Sequence, residues 1–419
     1  MKRSPLIILF ITVMLDLLGF GIILPLLPLY VRHFHGGPAV SGWLAASFSV
    51  MQFIFAPIWG RMSDKYGRRP MILIGLLGSA LSFLAYGLAT QLWMLFVSRI
   101  FAGALTAASL PTAQAYISDV MPPEKRSRGM AMIGVAFGIG FSTGPWIGGQ
   151  LGKYGLAVPA FAVAGLSFAN FLWSLYALPE SHTKRDAEHA RRVTLFDTSA
   201  FRRAWHNPAL RELLTVFTTA SFAFSLMEAT FTWLVILRFI DPQMPLHASM
   251  YSGETRAAAT VGPIFGVVGI ASVLSQGAVM GGMAQKIGEV KLILLGSLLL
   301  SISLFGIGAT HSLGQLTVLA ALLSVANGMM GPALSSMVSK SAGPNEKGSV
   351  LGVQQGLGSL GRMTAPPLGT WLLQSIRPLG VPYFLAGSLM FIVFLLSLNL
   401  RKQEAILASA EGTSGYHAE

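Results

Sequence analysis

Apolar residues in this chain fall into long runs parted by short polar stretches. Twelve runs are long enough to be helices that cross a membrane, at about 5–30, 39–59, 70–90, 92–117, 129–151, 157–178, 210–237, 258–284, 291–309, 314–337, 348–374 and 379–400. A hydrocarbon core roughly 30 Å thick needs about 20 apolar residues per helix. The first run is not a removable signal peptide: it is full span length, lacks a small-residue cleavage site and is followed by many similar runs.

Composition agrees. Only 11% of the 419 residues are charged while 53% are hydrophobic, and mean hydropathy is +0.63, whereas soluble proteins average about 25% charged residues. That excludes a cytosolic enzyme, a nucleic-acid binder and a disordered scaffold. The absence of cysteine excludes disulfides, thiolate metal sites and cysteine nucleophiles. No nucleotide loop, zinc motif or nucleophile elbow is present, so no enzyme activity, metal or cofactor is expected.

The net charge of +12 is informative by position. Of the 29 Lys and Arg residues, Arg32, Lys153, Arg238, Arg256 and Arg377 fall on one side and Arg99 and Arg362 within spans; the remaining 22 share the side of the amino terminus. The positive-inside rule puts that side, with both termini, in the cytoplasm. The expected location is a bacterial inner membrane, where the basic excess faces anionic lipid headgroups and not nucleic acid.

The longest polar stretch, about 179–208, divides the chain into a six-helix bundle at 1–178 and another at 209–400, with a tail at 401–419. Val193 to Leu210 mixes Leu195, Phe196, Phe201 and Trp205 with Arg202 and Arg203, as a short amphipathic helix on the inner leaflet would; a plain linker fits as well. The halves repeat. GRMSDKYG at 60–67 aligns with GGMAQKIG at 281–288, an offset of 221, while PPEKRS at 122–127 aligns with GPNEKGS at 343–349 and Pro145 with Pro367, an offset of 222. Duplicated bundles related by an axis along the membrane normal are a standard transporter plan, with substrate bound between them near the midplane. The expected fold is therefore an all-α membrane protein, twelve transmembrane helices in two pseudo-symmetric bundles.

GRMSDKYGRRP closely resembles the loop signature of the major facilitator superfamily. LDLLGFGIILPLLP in span one, RIFAG in span four and GIGFSTGPWIGG in span five resemble its twelve-helix drug:proton antiporters, and the likeness reaches about residue 400. The resemblance implies a monomeric secondary transporter that exchanges protons for a small-molecule substrate.

In the 60–70 loop, Gly60 and Gly67 permit a tight turn, Arg61, Lys65, Arg68 and Arg69 meet headgroups, and Asp64 is the lone acid. Asp64 can pair with Arg68 and approach a helix amino terminus. The resemblance implies that this acid engages span eleven and a charge at the end of span four, which Asp119 fits, in the outward-open state. The plainer alternative is a basic loop that only sets topology. The second copy has Gln285 for Asp64 and Glu289 for Arg68, making any latch asymmetric.

Gly140, Gly144 and Gly148, with Pro145 beside them, stack on one face of span five and admit a close neighbour. With the glycines of spans eight and eleven they suggest the sliding seam between the halves. The family ties this motif to antiport; simple tight packing is the alternative.

Asp16 and Glu228 are the acids within spans, and Arg99 and Arg362 the bases. Intramembrane charge costs about 2.5–3.5 kcal/mol or more per group at a helix centre, which makes these four candidates for proton coupling. Asp16 is about 16 Å from the inner side and Arg99 about 10 Å from the outer side at 1.5 Å per residue, so a contact between them is feasible. Apolar surroundings keep a carboxyl protonated and a nearby arginine draws the proton off, an opposition that makes a switch. Glu228 has no base in its own span until Arg238, which favours it over Asp16 as the carrier; a satisfied hydrogen bond to a neighbouring helix is the alternative role.

Phe222, Phe224, Met227 and Phe231 flank Glu228. Aromatic faces with one carboxylate suit a lipophilic cation, and methionine lets the wall reshape. Gln114, Asn327, Gln354 and Gln355 are further polar candidates. The first-span and loop motifs look closest to tetracycline-type exporters, yet the additional acids of their spans three and nine and the histidine of their span eight have no counterpart. Three functions follow: a proton-coupled exporter of hydrophobic or cationic compounds working by rocker-switch alternating access; a sugar or metabolite carrier, facilitative or symporting, in which Arg99 and Arg362 bind an anion; and, more remotely, a non-transporting receptor or scaffold.

Overall fold

A computed structural model describes residues 5–121, 133, 136, 139–140, 143–181, 198–240, 254–278, 282–342 and 347–414. The PPEKRS loop, its counterpart at 343–346 and the linker stretch 182–197 lie outside the described residues. Every regular element among the described residues is helical.

Ten of these helices are long and apolar enough to cross a membrane: Leu6–His33, Pro38–Tyr66, Arg68–Gly87, Leu92–Val120, Val158–Ala177, Pro208–Ile240, Thr260–Ala278, Glu289–Ala309, Leu313–Ser341 and Val381–Leu400. In the expected order they are spans one to four, six to ten and twelve. Span five is helical over 143–152. Span eleven, Lys347–Ser375, is a 29-residue helix diluted by Gln354, Gln355, Arg362 and its glycines, a composition tolerated because it packs along spans two and seven. The last helix continues past the expected end at 400, as far as Ser414. Together the helices form two bundles of six, one from each half of the chain.

Local sequence explains the breaks. Pro25 and Pro28 turn span one through a short 3₁₀ stretch, Leu24–Leu26, because proline withholds a helix donor. Span four is interrupted between Thr106 and Ser109. Within the linker, Thr198–His206 forms a helix that stacks Phe201 on Trp205, ring centroids 5.5 Å apart, and carries Arg203 and His206 in its last turn.

We call the face bearing the 60–70 loop and its counterpart the basic face, and the opposite one the far face. At the far face the halves share one core: Trp233, Ile236, Leu237 and Leu373 pack with Ile22, Leu26, Leu44 and Tyr86. Trp233 Nε1 donates to Ser41 Oγ at 2.8 Å, Thr232 Oγ1 to the Pro25 carbonyl at 2.9 Å and the Ala39 amide to Gln374 Oε1 at 3.0 Å. The crossing helices touch through glycine, Gly42 on Pro366 and Thr370 and Gly149 on Gly262. Nearer the basic face each half has its own core, and no atom lies within 4 Å of where a side chain on Gly60, Gly352 or Gly356 would begin. Among the described residues, the side-chain hydrogen bonds that join the halves gather at the far face.

Candidate functional site

Between the halves lies a narrow crevice of about 20 Å³ lined by Phe20, Ala45 and Ser49 from the first half and Ser225, Glu228 and Arg362 from the second. A larger open groove, about 700 Å³, lies between the far ends of spans nine and ten beside Gly306, Gly314 and Val318, and it carries no ionisable side chain. The small crevice holds the chemistry. Glu228 and Arg362, on spans seven and eleven, face one another across it without joining in a salt bridge; Arg362 Nη2 donates instead to Ser359 Oγ at 2.9 Å. A carboxylate and a guanidinium held close but apart are each available to a third charge.

Arg238, the only base in Glu228's own span beyond its basic end, has a different task. Its guanidinium donates to the carbonyls of Ile307, Gly308 and Thr310 at 3.1, 3.0 and 2.7 Å, capping the far end of span nine, where helix carbonyls lack internal partners.

Span seven carries Ser221, Ser225, Glu228 and Thr232 at helical spacing, and its helical period decides which side chains reach the crevice. Ser225, Glu228 and Ala229 face it. Met227 and Phe231 lie on the other face, buried in the second-half core, where Phe231 meets Phe265 edge-on at 5.5 Å. Phe222 and Phe224 pack against the same core and Phe222 abuts Gly361. Gln354 is buried and donates to Ser335 Oγ at 3.3 Å, whereas Gln355 is exposed. Gln114 and Asn327 are half-buried on spans four and ten. Of the expected aromatic set none lines the crevice; its aromatic wall is Phe20 of span one.

The expected contact between Asp16 and Arg99 is not made. Span four reaches the level of Asp16 with Ser109, ten residues past Arg99 and so about 15 Å deeper. Arg99, almost wholly buried, stacks its guanidinium on Phe48, 4.5 Å from the ring centroid, and Phe20, 5.9 Å away. A cation over an aromatic face is stabilised by about 0.5–2 kcal/mol. Phe20 thus stands between Arg99 and the crevice.

Span five also differs from expectation. Gly140, Gly144 and Gly148 face span one of their own half, against Met14, Leu18, Gly21 and Ile22, and not the seam; Trp146 and Gly149, on the adjoining face, touch Gly266 and Gly262 across it. A Cβ on Gly144 would stand 2.8 Å from the Gly21 backbone. Gly144→Leu is therefore expected to lower stability by about 1–3 kcal/mol through overpacking and to reduce transport per inserted molecule. Gly60→Leu, with open space around it, is the control. Equal thermal stability of both variants in detergent would show that this face of span five is free.

At the basic face Arg68 is the hub. It reaches Asp64 Oδ1 at 2.5 Å, Asp119 Oδ2 at 3.0 Å and Ser63 Oγ at 2.8 Å. Glu180, not singled out by sequence, accepts from the amides of Arg68 and Arg69 at 2.9 and 3.2 Å and so caps span three. Gly67 turns there at φ 103, and a Cβ would meet the Glu180 carboxylate at 2.5 Å. Arg69 Nη2 donates to the Leu175 carbonyl at 2.6 Å. In the second half, Gly288 turns at φ 90 and Glu289 pairs with Lys340 at 2.8 Å and Ser336 at 2.6 Å. Arg68 and Asp119 advanced by 221 are Glu289 and Lys340, so the same pair recurs with its signs reversed.

The sequence profile described as the Major Facilitator Superfamily matches residues 9–277 and 248–414. The chain is 33% identical over 414 residues to the tetracycline resistance protein, class H, of Pasteurella multocida, covering 96% of this chain and 98% of that one. It is 28% identical to multidrug resistance protein 2 of Bacillus subtilis (strain 168), covering 93% and 94%. Among solved structures, the human organic anion transporter MFSD10 (TETRAN) superposes with TM-score 0.68 at 26% identity over 94% of this chain and 99% of that one. With two six-helix bundles joined at one face, a charged crevice between them and a profile match along nearly its whole length, this multi-pass membrane protein belongs to the Major Facilitator Superfamily of transporters.

Proposed function

We propose that the protein is a proton-coupled exporter of hydrophobic or cationic small molecules that works by rocker-switch alternating access. The observation that carries this reading is Glu228, an acid in the central crevice beside Phe20 and opposite Arg362, with which it makes no salt bridge. A lipophilic cation entering from the basic face competes with a proton for Glu228, and Arg362 faces the same carboxylate. The relatives named for tetracycline and multidrug resistance support export.

The domain division at 179–208 makes each bundle a rocking unit. On the Lys and Arg distribution the basic face is cytoplasmic in a bacterial inner membrane, and the bonds gathered at the far face favour the inward-open state of a monomer whose linker helix rests on anionic lipid. To open the other way, the far-face bonds of Trp233, Thr232 and Gln374 must break, and the Asp64–Arg68–Asp119 cluster must come under the opposite half.

A second reading, carriage of an organic anion, is favoured by one observation: Arg362 lines the crevice and Arg99 lies behind one of its walls. The test is a susceptibility and uptake panel in exporter-deficient cells, with and without a protonophore. Export gives resistance and low accumulation of ethidium-like cations that the protonophore abolishes. Accumulation of an anion, indifferent to the protonophore, would replace the exporter by a facilitator.

A further inference from the structure

Asp16 is the buried acid that the crevice does not explain. Both of its carboxylate oxygens are shut off from the crevice and have no hydrogen-bond partner among the described residues. The base nearest in span four, Arg99, is stacked on Phe20 and Phe48, and the Ser109 hydroxyl lies beside Asp16 but outside ordinary hydrogen-bond distance.

A second line of polar groups leads from it. Thr12 is one turn before Asp16 on span one, fully buried, and accepts from Asn170 Nδ2 of span six at 3.1 Å. Asn170 Oδ1 and Ser174 Oγ, one turn farther along span six, are buried and lack any partner among the described residues. Each turn advances about 5.4 Å, so the file of Asp16, Thr12, Asn170 and Ser174 descends toward the basic face. There the Tyr116 hydroxyl donates to the Pro179 carbonyl at 2.9 Å and Ser181 Oγ reaches Asp119 Oδ2 at 3.3 Å. Buried polar atoms are almost always paired, and clusters of unpaired ones mark positions for bound water. Here four such oxygens, two from Asp16 and one each from Asn170 and Ser174, lie along one descending line on two touching helices, in a part of the bundle otherwise filled by Leu9, Val13 and Ile117.

We infer that Thr12, Asn170 and Ser174 hold a file of water that carries protons between Asp16 and the basic face at Asp119, apart from the substrate crevice. The inference rests on the proton-coupled reading of the transporter. Thr12 and Ser174 hydroxyls both donate and accept, and the Asn170 amide, held by Thr12, orients a water with its free oxygen. A proton arriving at the basic face passes along the water as hydronium to the Asp16 carboxylate, and the reverse transfer releases it. Glu228 then exchanges with substrate while Asp16 keeps its own connection to the same side.

The test needs no substrate. Full-length protein in liposomes is moved from H2O to D2O and the carboxyl stretching band that vanishes in Asp16→Asn is followed by infrared spectroscopy. In wild type this band should shift promptly, and in Asn170→Leu and in Ser174→Ala the shift should slow at least about tenfold, a change of about 1.4 kcal/mol in the barrier. Ser174→Ala removes a hydroxyl without a protein partner, so it folds even where Asn170→Leu does not. Unchanged exchange in Ser174→Ala, or no Asp16-dependent carboxyl band between about pH 5 and 9, overturns the file. Failure of the exporter reading shows separately, as transport that ignores the protonophore.

Discussion

Glu228→Gln is expected to abolish uphill export of a lipophilic cation such as ethidium while leaving downhill exchange measurable. Glutamine keeps the shape of glutamate and stands in for its protonated form but cannot take or release a proton, so coupling is lost and the path remains. Arg362 is not stranded, because it already donates to Ser359, and insertion should be normal. The measurement is substrate-induced proton release from purified wild type, Glu228→Gln and Asp16→Asn. Normal release from Glu228→Gln with none from Asp16→Asn would reverse the roles of the two acids, and normal release from both would leave the exporter without a carrier.

The fold was legible because lipid admits few solutions. Runs of about 20 apolar residues announce spans whatever their neighbours do, and the match of Pro145 to Pro367 aligned spans five and eleven as copies. Helix rotation is read less surely than span position. In span seven Ser221, Ser225, Glu228 and Thr232 recur at helical spacing and put Ser225 beside Glu228, while nearness in sequence alone favours Met227 and Phe231, which turn into the core. The span-five glycines show the same limit: close approach was right, but spacing alone does not name the partner, which is span one.

Depth failed in a different way. Counting from the ends of apolar runs put Asp16 and Arg99 at compatible heights, whereas span four is broken between Thr106 and Ser109 and brings Ser109 to Asp16. Pro111, four residues past Ala107, withholds the donor that the Ala107 carbonyl would take, so the break did leave a trace in sequence. Glu180 escaped notice because its partners, the amides of Arg68 and Arg69, are more than a hundred residues away, at a helix end whose donors any carboxylate could cap. The Glu289–Lys340 pair, by contrast, was within reach: the offset of 221 that aligned the two loops carries Asp119 to Lys340.

That inverted pair supplies the second large prediction. A helix amino terminus favours negative charge by about 0.3–1 kcal/mol; Glu289 at the start of span nine satisfies this itself, while Arg68 at the start of span three opposes it and is offset by Asp64, Asp119 and the capping Glu180. Arg68→Glu alone crowds four carboxylates together and should collapse both stability and transport, the loss for a half-buried hub reaching about 3–5 kcal/mol. Adding Asp119→Lys recreates the second-half pair in the first half and should restore thermal stability to within a few degrees of wild type. Transport should stay low in that double variant, because Asp64 has lost the arginine that positions it and the basic-face cluster can no longer form under the opposite half. The checks are a detergent melting curve and ethidium export per inserted molecule. If the double variant regains export together with stability, Arg68 and Asp119 are a strut and the gating role assigned to the 60–70 loop fails.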